Sequence, residues 1–258
     1  AHCSSGSTPL ELTAPNGTRI LLVDGDITAK SDPVIPELII QRASAQPSGA
    51  WNEGRAGMRY RDLIPGRWNG HFIASHIQIT DGGPVPDYVH HHDVRFQMIY
   101  CHRGWVRGVY EDQGPPFVMH PGDCVLQPPG IRHQVLEASD GLEVIEIGAP
   151  ALHATHADHQ LPLPSSKTAV DRVFGGQRFT RHIASRAPWQ PWVSSGFEAR
   201  DLGIAAATDG LARASVARVT TSGAGGHLRH PGGFQFMFVL DGDVTLHHQD
   251  RAEHRLHA

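Results

Sequence analysis

Short apolar segments alternate with turns rich in glycine and proline along most of the chain. The apolar segments are rich in β-branched residues and are bounded by turn-forming residues, a pattern typical of β-strands. The clearest segments are 19–23, 71–79, 98–101, 124–126 and 142–147. Helical periodicity is scarce, and only 36–45 and 167–174 could hold a short helix. The pattern therefore predicts an all-β fold, a barrel or sandwich of many strands.

The composition excludes several classes of protein. The chain has 258 residues, 40% of them hydrophobic, which is enough for one large or two small domains. The net charge is −4 and no basic block occurs, so nucleic acid is not an expected partner. No apolar run approaches the roughly 18 residues of a membrane span. The three cysteines, Cys3, Cys101 and Cys124, do not suggest a disulfide framework, and the expected location is cytoplasmic.

Short motifs recur in the same order in the second half of the chain. Arg-Asp-Leu stands at 61–63 and again at 200–202, and Phe-Gln stands at 96–97 and again at 234–235. Recurrence at a nearly constant spacing is the signature of repeated structural units. The sequence therefore predicts two homologous β domains.

This repeat divides the chain into four parts. They are an N-terminal lead-in, 1–55, a first barrel, 56–150, a linker with a short helix, 151–192, and a partial second barrel, 193–258. By the same alignment the second copy stops before the equivalent of 122–133. Because a half barrel would expose strand edges, we expect the natural protein to continue for several more strands.

Histidines at alternate positions mark the most informative segment. Side chains at alternate positions of a strand point to one side, so His90 and His92 project together and His91 projects to the other face. His133 follows the turn-forming sequence Pro-Pro-Gly at 128–130. Three neutral imidazoles that converge form a transition-metal site. The pattern therefore predicts that His90, His92 and His133 are metal ligands.

The spacing of these residues resembles the two motifs of the cupin superfamily. The first motif is matched by His90, His92, Gln97 and Gly104. The second motif is matched by Gly122, Pro128, Gly130 and His133. Three positions depart from the usual pattern: Gln97 replaces a glutamate, Glu137 replaces an asparagine, and Gly83 stands one place early. The resemblance is strong over 57–150 and weak over 196–258.

The resemblance implies a specific architecture. Cupins are double-stranded β-helices, jelly-roll barrels with the site inside. Two tandem cupin barrels, the second incomplete, would make a bicupin similar to the ring-cleaving dioxygenases of the gentisate type. In those enzymes iron sits on three histidines, and dimers and tetramers are common. The resemblance therefore implies a homodimer or tetramer.

Gln97 is the departure that bears most on the chemistry. It is either a metal ligand or a hydrogen-bonding partner of a ligand histidine or of a bound water. A neutral glutamine leaves a divalent ion with its full charge, whereas a glutamate would offset part of it. Such a site favours an anionic, chelating substrate and leaves an adjacent position for O2.

Residues that flank the motif are candidates for substrate binding. Arg95 and Arg103 could bind a carboxylate, and Phe96 and Trp105 could form an aromatic wall. Cys101 is in phase with Gln97 along the strand and could line the barrel. For each residue the alternative is an ordinary structural role, as a solvated arginine, a packed aromatic ring or a core thiol.

The second copy is predicted to lack a metal. Leu228 stands where the first histidine of the motif would be, and an alkyl side chain cannot ligate. His230 alone remains from that pair, and the equivalent of His133 is absent from the chain. The predicted role of this copy is structural.

These observations predict a metal-dependent dioxygenase. Fe(II) on the three histidines would cleave a small anionic aromatic or diketone substrate with O2, and Mn, Ni, Zn or Cu are alternative metals. Two other interpretations stay open, because fold does not determine function. One is a metal-dependent isomerase, decarboxylase or lyase, and the other is a non-enzymatic protein that binds a small ligand.

Overall fold

A computed structural model describes residues 10–13, 19–22, 38–42, 51–64, 66–221, 224–227, 232–247 and 252–258. The strands of the first half are β1 (Leu10–Thr13), β2 (Arg19–Leu22), β3 (Asn52–Glu53), β4 (Arg59–Asp62), β5 (Ile73–Ile79), β6 (Gly83–Pro84), β7 (His90–His92), β8 (Phe96–Arg103), β9 (Val106–Tyr110), β10 (Phe117–Met119) and β11 (Cys124–Leu126). The remaining strands are β12 (His133–Ala138), β13 (Leu142–Ala149), β14 (Thr155–Ala157), β15 (Val173–Phe174), β16 (Gln177–Arg178), β17 (Thr180–His182), β18 (Gln190–Pro191), β19 (Phe197–Asp201), β20 (Ser215–Val219), β21 (Asp243–His247) and β22 (Glu253–His257). Among the described residues, helix occurs only as single turns at Arg55–Gly57, Arg67–Gly70, Ala184–Arg186 and Ile204–Ala207.

The chain divides into two compact units, 1–33 and 34–258. In the first unit, β1 and β2 form an antiparallel pair. The second unit holds all other strands that the structure describes. Within the described residues, no helix has the length and apolar content needed to cross a membrane.

A seven-stranded antiparallel sheet forms one wall of the first barrel, in the order β17-β11-β8-β13-β5-β4-β3. Strand β13 lies at its centre and pairs with β5 on one side and β8 on the other. The apolar residues of these strands are buried on both faces of the sheet, which suits a strand with a continuous apolar run. This sheet carries Gln97 on β8.

A second antiparallel sheet forms the opposite wall, in the order β10-β9-β12-β7-β14, with β6 paired to β12. The predicted ligands lie on adjacent strands of this sheet, because β7 pairs with β12 in a register that places His90 opposite His133. The sheet pairing therefore joins two motifs that are far apart in the sequence.

The main hydrophobic core lies between the two sheets. Cys101, Val125 and Val144 come from the seven-stranded sheet, and Val106 and Met119 come from the opposite one. Burying each valine or methionine side chain of this core stabilises the fold by about 1.5–3 kcal/mol. The all-β prediction is confirmed, and these two facing sheets form the jelly-roll barrel that the resemblance implied.

A second apolar cluster covers the outer face of the seven-stranded sheet. Alternation along β8 and β11 turns Met98 and Leu126 to this face, where Leu202 and Ile204 pack on them. Residues after the first barrel therefore cover a sheet face that solvent would otherwise contact.

The short helix predicted at 167–174 is wrong. Val173 and Phe174 form β15, which turns at two glycines and pairs with β16. Phe174 is buried in the main core, and the Arg172 guanidinium pairs with Glu111 and Asp112. These long-range contacts outweigh a weak local helical preference. Of the other predicted helix, 36–45, only 38–42 are described, and they are not helical.

Two separate sheets occupy the region of the predicted second barrel. Strands β18, β19 and β20 form a three-stranded sheet, and β21 pairs with β22. Leu228 and His230 lie outside the described residues. The absence of a metal from this copy stays a prediction, as does the division of the chain into a lead-in, two barrels and a linker.

Candidate metal centre

Three histidines from two adjacent strands come together inside the barrel. The ring centroids of His90 and His133 are 4.2 Å apart, and those of His90 and His92 are 5.0 Å apart. The possible ligand atoms of His90, His92 and His133 all lie within 4.8 Å of one another. The alternation along β7 and the pairing of β7 with β12 thus produce the predicted convergence.

A tight turn delivers His133 to this position. The N–H of Ile131 donates to the carbonyl of Pro128 at 3.2 Å, which closes a turn with Pro129 and Gly130 at its centre. Gly130 has a φ of 73°, as the second central residue of a type II turn requires. The Gly130 N–H also donates to the His92 carbonyl at 3.2 Å, which ties the turn to β7.

Backbone carbonyls orient two of the three rings. Nδ1 of His90 donates to the Tyr88 carbonyl at 2.8 Å, and Nδ1 of His133 donates to the Ile131 carbonyl at 3.1 Å. A carbonyl oxygen only accepts, so Nδ1 carries the proton in both rings. The lone pair of each ring is therefore on Nε2, the atom that would bind a metal.

A hydroxyl group orients the third ring. Nδ1 of His92 lies 2.9 Å from Oγ1 of Thr155, on the neighbouring strand β14. When the hydroxyl accepts this hydrogen bond, Nε2 of His92 is also the unprotonated atom. All three rings then present Nε2 as a nitrogen donor, with Nδ1 held by an oxygen of the protein.

Burial keeps the three imidazoles neutral. It is the main cause that lowers the pKa of each ring, and the neighbouring imidazoles and the Arg55 guanidinium also lower these pKa values. Together these causes bring the pKa of His92 to about 3. Neutral imidazole is the form that binds a metal, so the site is prepared to ligate across the physiological pH range.

An arginine that the sequence analysis did not single out reaches the cluster. Nη2 of Arg55 lies 2.6 Å from Nε2 of His90 and, as a donor only, requires a lone pair on that nitrogen. Arg55 also pairs with Asp87, whose side chain is fully buried and accepts the Val135 N–H. The site therefore contains a guanidinium held in place by a buried carboxylate.

Gln97 contacts a carboxyl group, and this residue too was not anticipated. Nε2 of Gln97 donates to Oε1 of Glu146 on β13 at 2.5 Å. Burial raises the pKa of Glu146, and the hydrogen bond from Gln97 lowers it again. With its nitrogen engaged in this way, Gln97 has only its amide oxygen left to bind a cation. Its role as a ligand or as a hydrogen-bonding residue stays a prediction.

Of the five residues predicted to bind substrate, the structure packs two in apolar clusters, which favours the structural alternative given for each. Phe96 packs in the cluster on the outer face of the seven-stranded sheet, because alternation turns it away from the inner face that Gln97 occupies. Cys101 does lie on the inner face, but it is fully buried in the main core. Burial raises the pKa of its thiol to about 12, so the sulfur stays protonated.

The other three candidates lie at strand ends. Arg103 is about 20 Å from Gln97 along β8, exposed, and 3.6 Å from Glu143. Trp105 lies two residues after Arg103, and its backbone N–H donates to Oγ of Ser139. Arg95 is exposed. None of the contacts that the structure gives for these three residues reaches the histidine cluster, and substrate binding by them stays a prediction.

Local patterns carried little signal for the residues that were missed. Arg55 lies outside the first motif and reaches the site through the tertiary fold, whereas Asp87 lies three residues before His90, at a position with no assigned role in the motif. Glu146 did leave a trace, because it is one of two charged residues, with Glu143, within the largely apolar segment 142–147. A charge at an inward position of a buried strand marks a possible functional site.

The donor set fits a divalent transition metal. Three neutral nitrogen donors converge from one side, and imidazole suits iron, zinc, copper and nickel. Nδ1 of each ring is held by an oxygen, as is typical of histidines that bind metals. His90, His92 and His133 are the residues that would hold the ion.

No protein-family model matches this chain, and no curated protein matches it. Similar solved structures include oxalate decarboxylase from Bacillus subtilis at pH 4.6, at 15% identity over 60% of this chain and 50% of that chain, with a TM-score of 0.38. KdgF from Halomonas sp. is 18% identical over 39% of this chain and 86% of that chain, with a TM-score of 0.32. An RmlC-like cupin from Shewanella frigidimarina is 21% identical over 45% of this chain and 93% of that chain, with a TM-score of 0.35. The matched part of this chain spans half of the oxalate decarboxylase chain.

Proposed function

We propose that this protein is a metal-dependent cupin dioxygenase that cleaves a small anionic aromatic or diketone substrate. The observation that carries the proposal is the convergence of three neutral imidazoles, His90, His92 and His133, each with Nδ1 held by an oxygen of the protein. A bound Fe(II) ion supplies the redox chemistry with O2 that amino-acid side chains do not supply.

The charges around the histidines favour an anionic substrate. The three ligands are neutral, so a divalent ion keeps its full charge at the site. The Arg55 guanidinium lies at hydrogen-bond distance from His90, and its positive charge would attract a carboxylate or a phenolate. Asp87 holds this guanidinium in place by accepting a hydrogen bond from Nη1. Arg55 would thus orient the substrate, and Asp87 would position Arg55.

A decarboxylase or another lyase is the second candidate. The observation that favours it is the same guanidinium, because Arg55 could bind a substrate carboxylate in a reaction that does not consume O2. A protein that only binds a small ligand would use the same cluster without turnover. O2 dependence separates the first two candidates, and the absence of turnover on a broad panel favours the third.

Metal content tests the proposal first. We expect about one iron per chain in protein purified without oxygen, and its loss in His92→Ala. His120→Ala is the matched control, because His120 is an exposed histidine outside the cluster and its loss should leave the metal bound. Circular dichroism shows whether each variant is folded.

O2 uptake on phenolic acids and diketone acids is the second measurement. Turnover that consumes O2, and that His92→Ala abolishes, supports a dioxygenase. Turnover without O2 would assign the site to a lyase, an isomerase or a decarboxylase. A folded wild-type protein that binds no metal would overturn the catalytic proposal. We also propose that the active form is a homodimer or tetramer, which light scattering tests.

A further inference from the structure

A second group of metal-binding side chains lies on the other face of strand β7. His91 projects away from the inner cluster, because neighbours along a strand point to opposite faces. The pairing of β7 with β14 places His91 directly opposite His156, and their rings stack at 5.0 Å with an interplanar angle of 24°. The two imidazoles are therefore held side by side by the backbone pairing itself.

A carboxylate completes this outer group. Asp93 lies two positions beyond His91 and hence on the same side of the strand. Oδ2 of Asp93 accepts from Nε2 of His156 at 2.7 Å. The possible ligand atoms of His91, Asp93 and His156 all lie within 4.8 Å of one another.

The surroundings of this outer group leave room for a cation. The side chains of Asp93 and His156 are 62% and 47% exposed, so an ion can reach them and keep water in its remaining positions. Nδ1 of His91 is buried and makes no hydrogen bond to any described residue. The positive charge of Arg132 lowers the pKa of His91. This charge of Arg132 is offset by ion pairs with Glu111 and Asp158.

We propose that His91, Asp93 and His156 form a second, solvent-accessible site for a divalent transition metal such as Zn²⁺. Two imidazoles and a carboxylate are a common donor set for zinc, with water in the fourth position. The ion would replace the proton that Asp93 and His156 share in their hydrogen bond. The site does not depend on the inner histidines for its ligands.

Such an ion would bridge two strands. His91 belongs to β7 and Asp93 directly follows that strand, whereas His156 belongs to β14. The same strand pair holds Thr155 opposite His92, and Oγ1 of Thr155 orients the His92 ring. A metal on the outer face would therefore fix β14, the strand whose Thr155 orients the His92 ring. We expect the bound metal to raise the free energy of unfolding.

Zinc binding to the full chain tests the proposal. The background is His92→Ala, which removes the inner site and isolates the outer one. In equilibrium dialysis against Zn²⁺ at micromolar concentration, we expect about one ion per chain in His92→Ala and none in the double variant His92→Ala/His156→Ala. Zn²⁺ should also raise the melting temperature of His92→Ala and leave that of the double variant unchanged.

Two further variants make the result specific. Asp93→Asn keeps the shape of the side chain but removes its charge, and we expect it to weaken Zn²⁺ binding at least about tenfold. His257→Ala is the matched control, because His257 also contacts a carboxylate, that of Asp243. Among the described residues, His257 belongs to neither of the two groups of three possible metal ligands. When His257→Ala is added to His92→Ala, the double variant should bind as much Zn²⁺ as His92→Ala alone.

Two outcomes would overturn the outer site. One is undiminished Zn²⁺ binding after His156→Ala is added to His92→Ala, and the other is an equal loss in the His257→Ala control. Neither outcome bears on the inner site, which is tested by iron content in wild-type protein. If His92→Ala fails to fold, Zn²⁺ binding is compared between wild-type protein and His156→Ala. The variant should then bind about one ion per chain fewer than the wild type.

Discussion

Nε2 of Gln97 donates a hydrogen bond to Oε1 of Glu146 at 2.5 Å, across two neighbouring strands of the seven-stranded sheet. Both side chains lie on the inner face of the sheet, since Cys101 and Val144 share their phase along β8 and β13 and pack in the main core. The position at which the first cupin motif usually has a carboxylate therefore carries an amide here. A carboxyl group lies on the adjacent strand instead.

Exchanging the two groups tests this relationship. Gln97→Glu should lower the free energy of unfolding by about 2 kcal/mol at neutral pH, because it places two carboxyl groups in contact in a buried position. The double variant Gln97→Glu/Glu146→Gln restores an amide–carboxylate pair and should recover most of the loss. Urea denaturation measures both changes. A double variant as unstable as the single one would show that the pair does not interact in this way.

Thr155 should control metal affinity through the orientation of His92. Thr155→Val removes the hydroxyl that lies 2.9 Å from Nδ1 of His92 and preserves the shape of the side chain. We expect a loss of metal affinity of about tenfold, as for other groups that orient a ligand histidine. Competition with a chelator measures the affinity. Thr155→Ser keeps the hydroxyl and should bind as the wild type does, and equal affinity in all three proteins would contradict the prediction.

The pair of Arg55 and Asp87 should contribute strongly to stability. Arg55→Met leaves the fully buried carboxylate of Asp87 without its counter-ion, and we expect the free energy of unfolding to fall by about 3 kcal/mol. Asp87→Asn added to Arg55→Met removes the uncompensated charge and should restore part of the stability. Denaturation of the two variants in urea is the measurement. No recovery in the double variant would mean that the loss comes from packing and not from charge.

Acid should destabilise the protein in part through His76. Burial lowers the pKa of this imidazole, and it outweighs the opposing effect of Glu143, which lies 2.9 Å away and raises the pKa; Arg61 lowers it as well. Unfolded histidine takes up a proton below about pH 6.5, whereas the folded ring does so only at lower pH. Stability therefore falls as the pH drops through this window, by up to about 1.4 kcal/mol per pH unit, and levels off below the folded pKa.

Removing this imidazole should flatten the response. His76→Gln lacks the titrating group, so its free energy of unfolding should fall less than that of the wild type between pH 7 and pH 5. The comparison uses urea denaturation at several pH values, with exposed His120→Ala as the control. A wild-type slope in His76→Gln would assign the acid sensitivity to other groups.

Local sequence patterns were sufficient for the strands and for part of the site. The predicted segments 71–79, 124–126 and 142–147 correspond to β5, β11 and β13, because a strand flanked by turns leaves a short-range signal. The common direction of His90 and His92 also follows from local geometry, since alternation along a strand needs no tertiary contact. The place of His133 beside them was predicted from the turn and the motif spacing.

Tertiary structure decided the rest. Arg55 and Glu146 reach the site from segments distant from the histidine motif, and the hairpin at 173–178 replaced a predicted helix because Phe174 packs in the core. The outer pairing of His91 with His156 depends on the register between β7 and β14. The physical reason is the same in each case. A periodic pattern determines which way a side chain points, whereas the strand or loop it meets depends on the packing of the whole barrel.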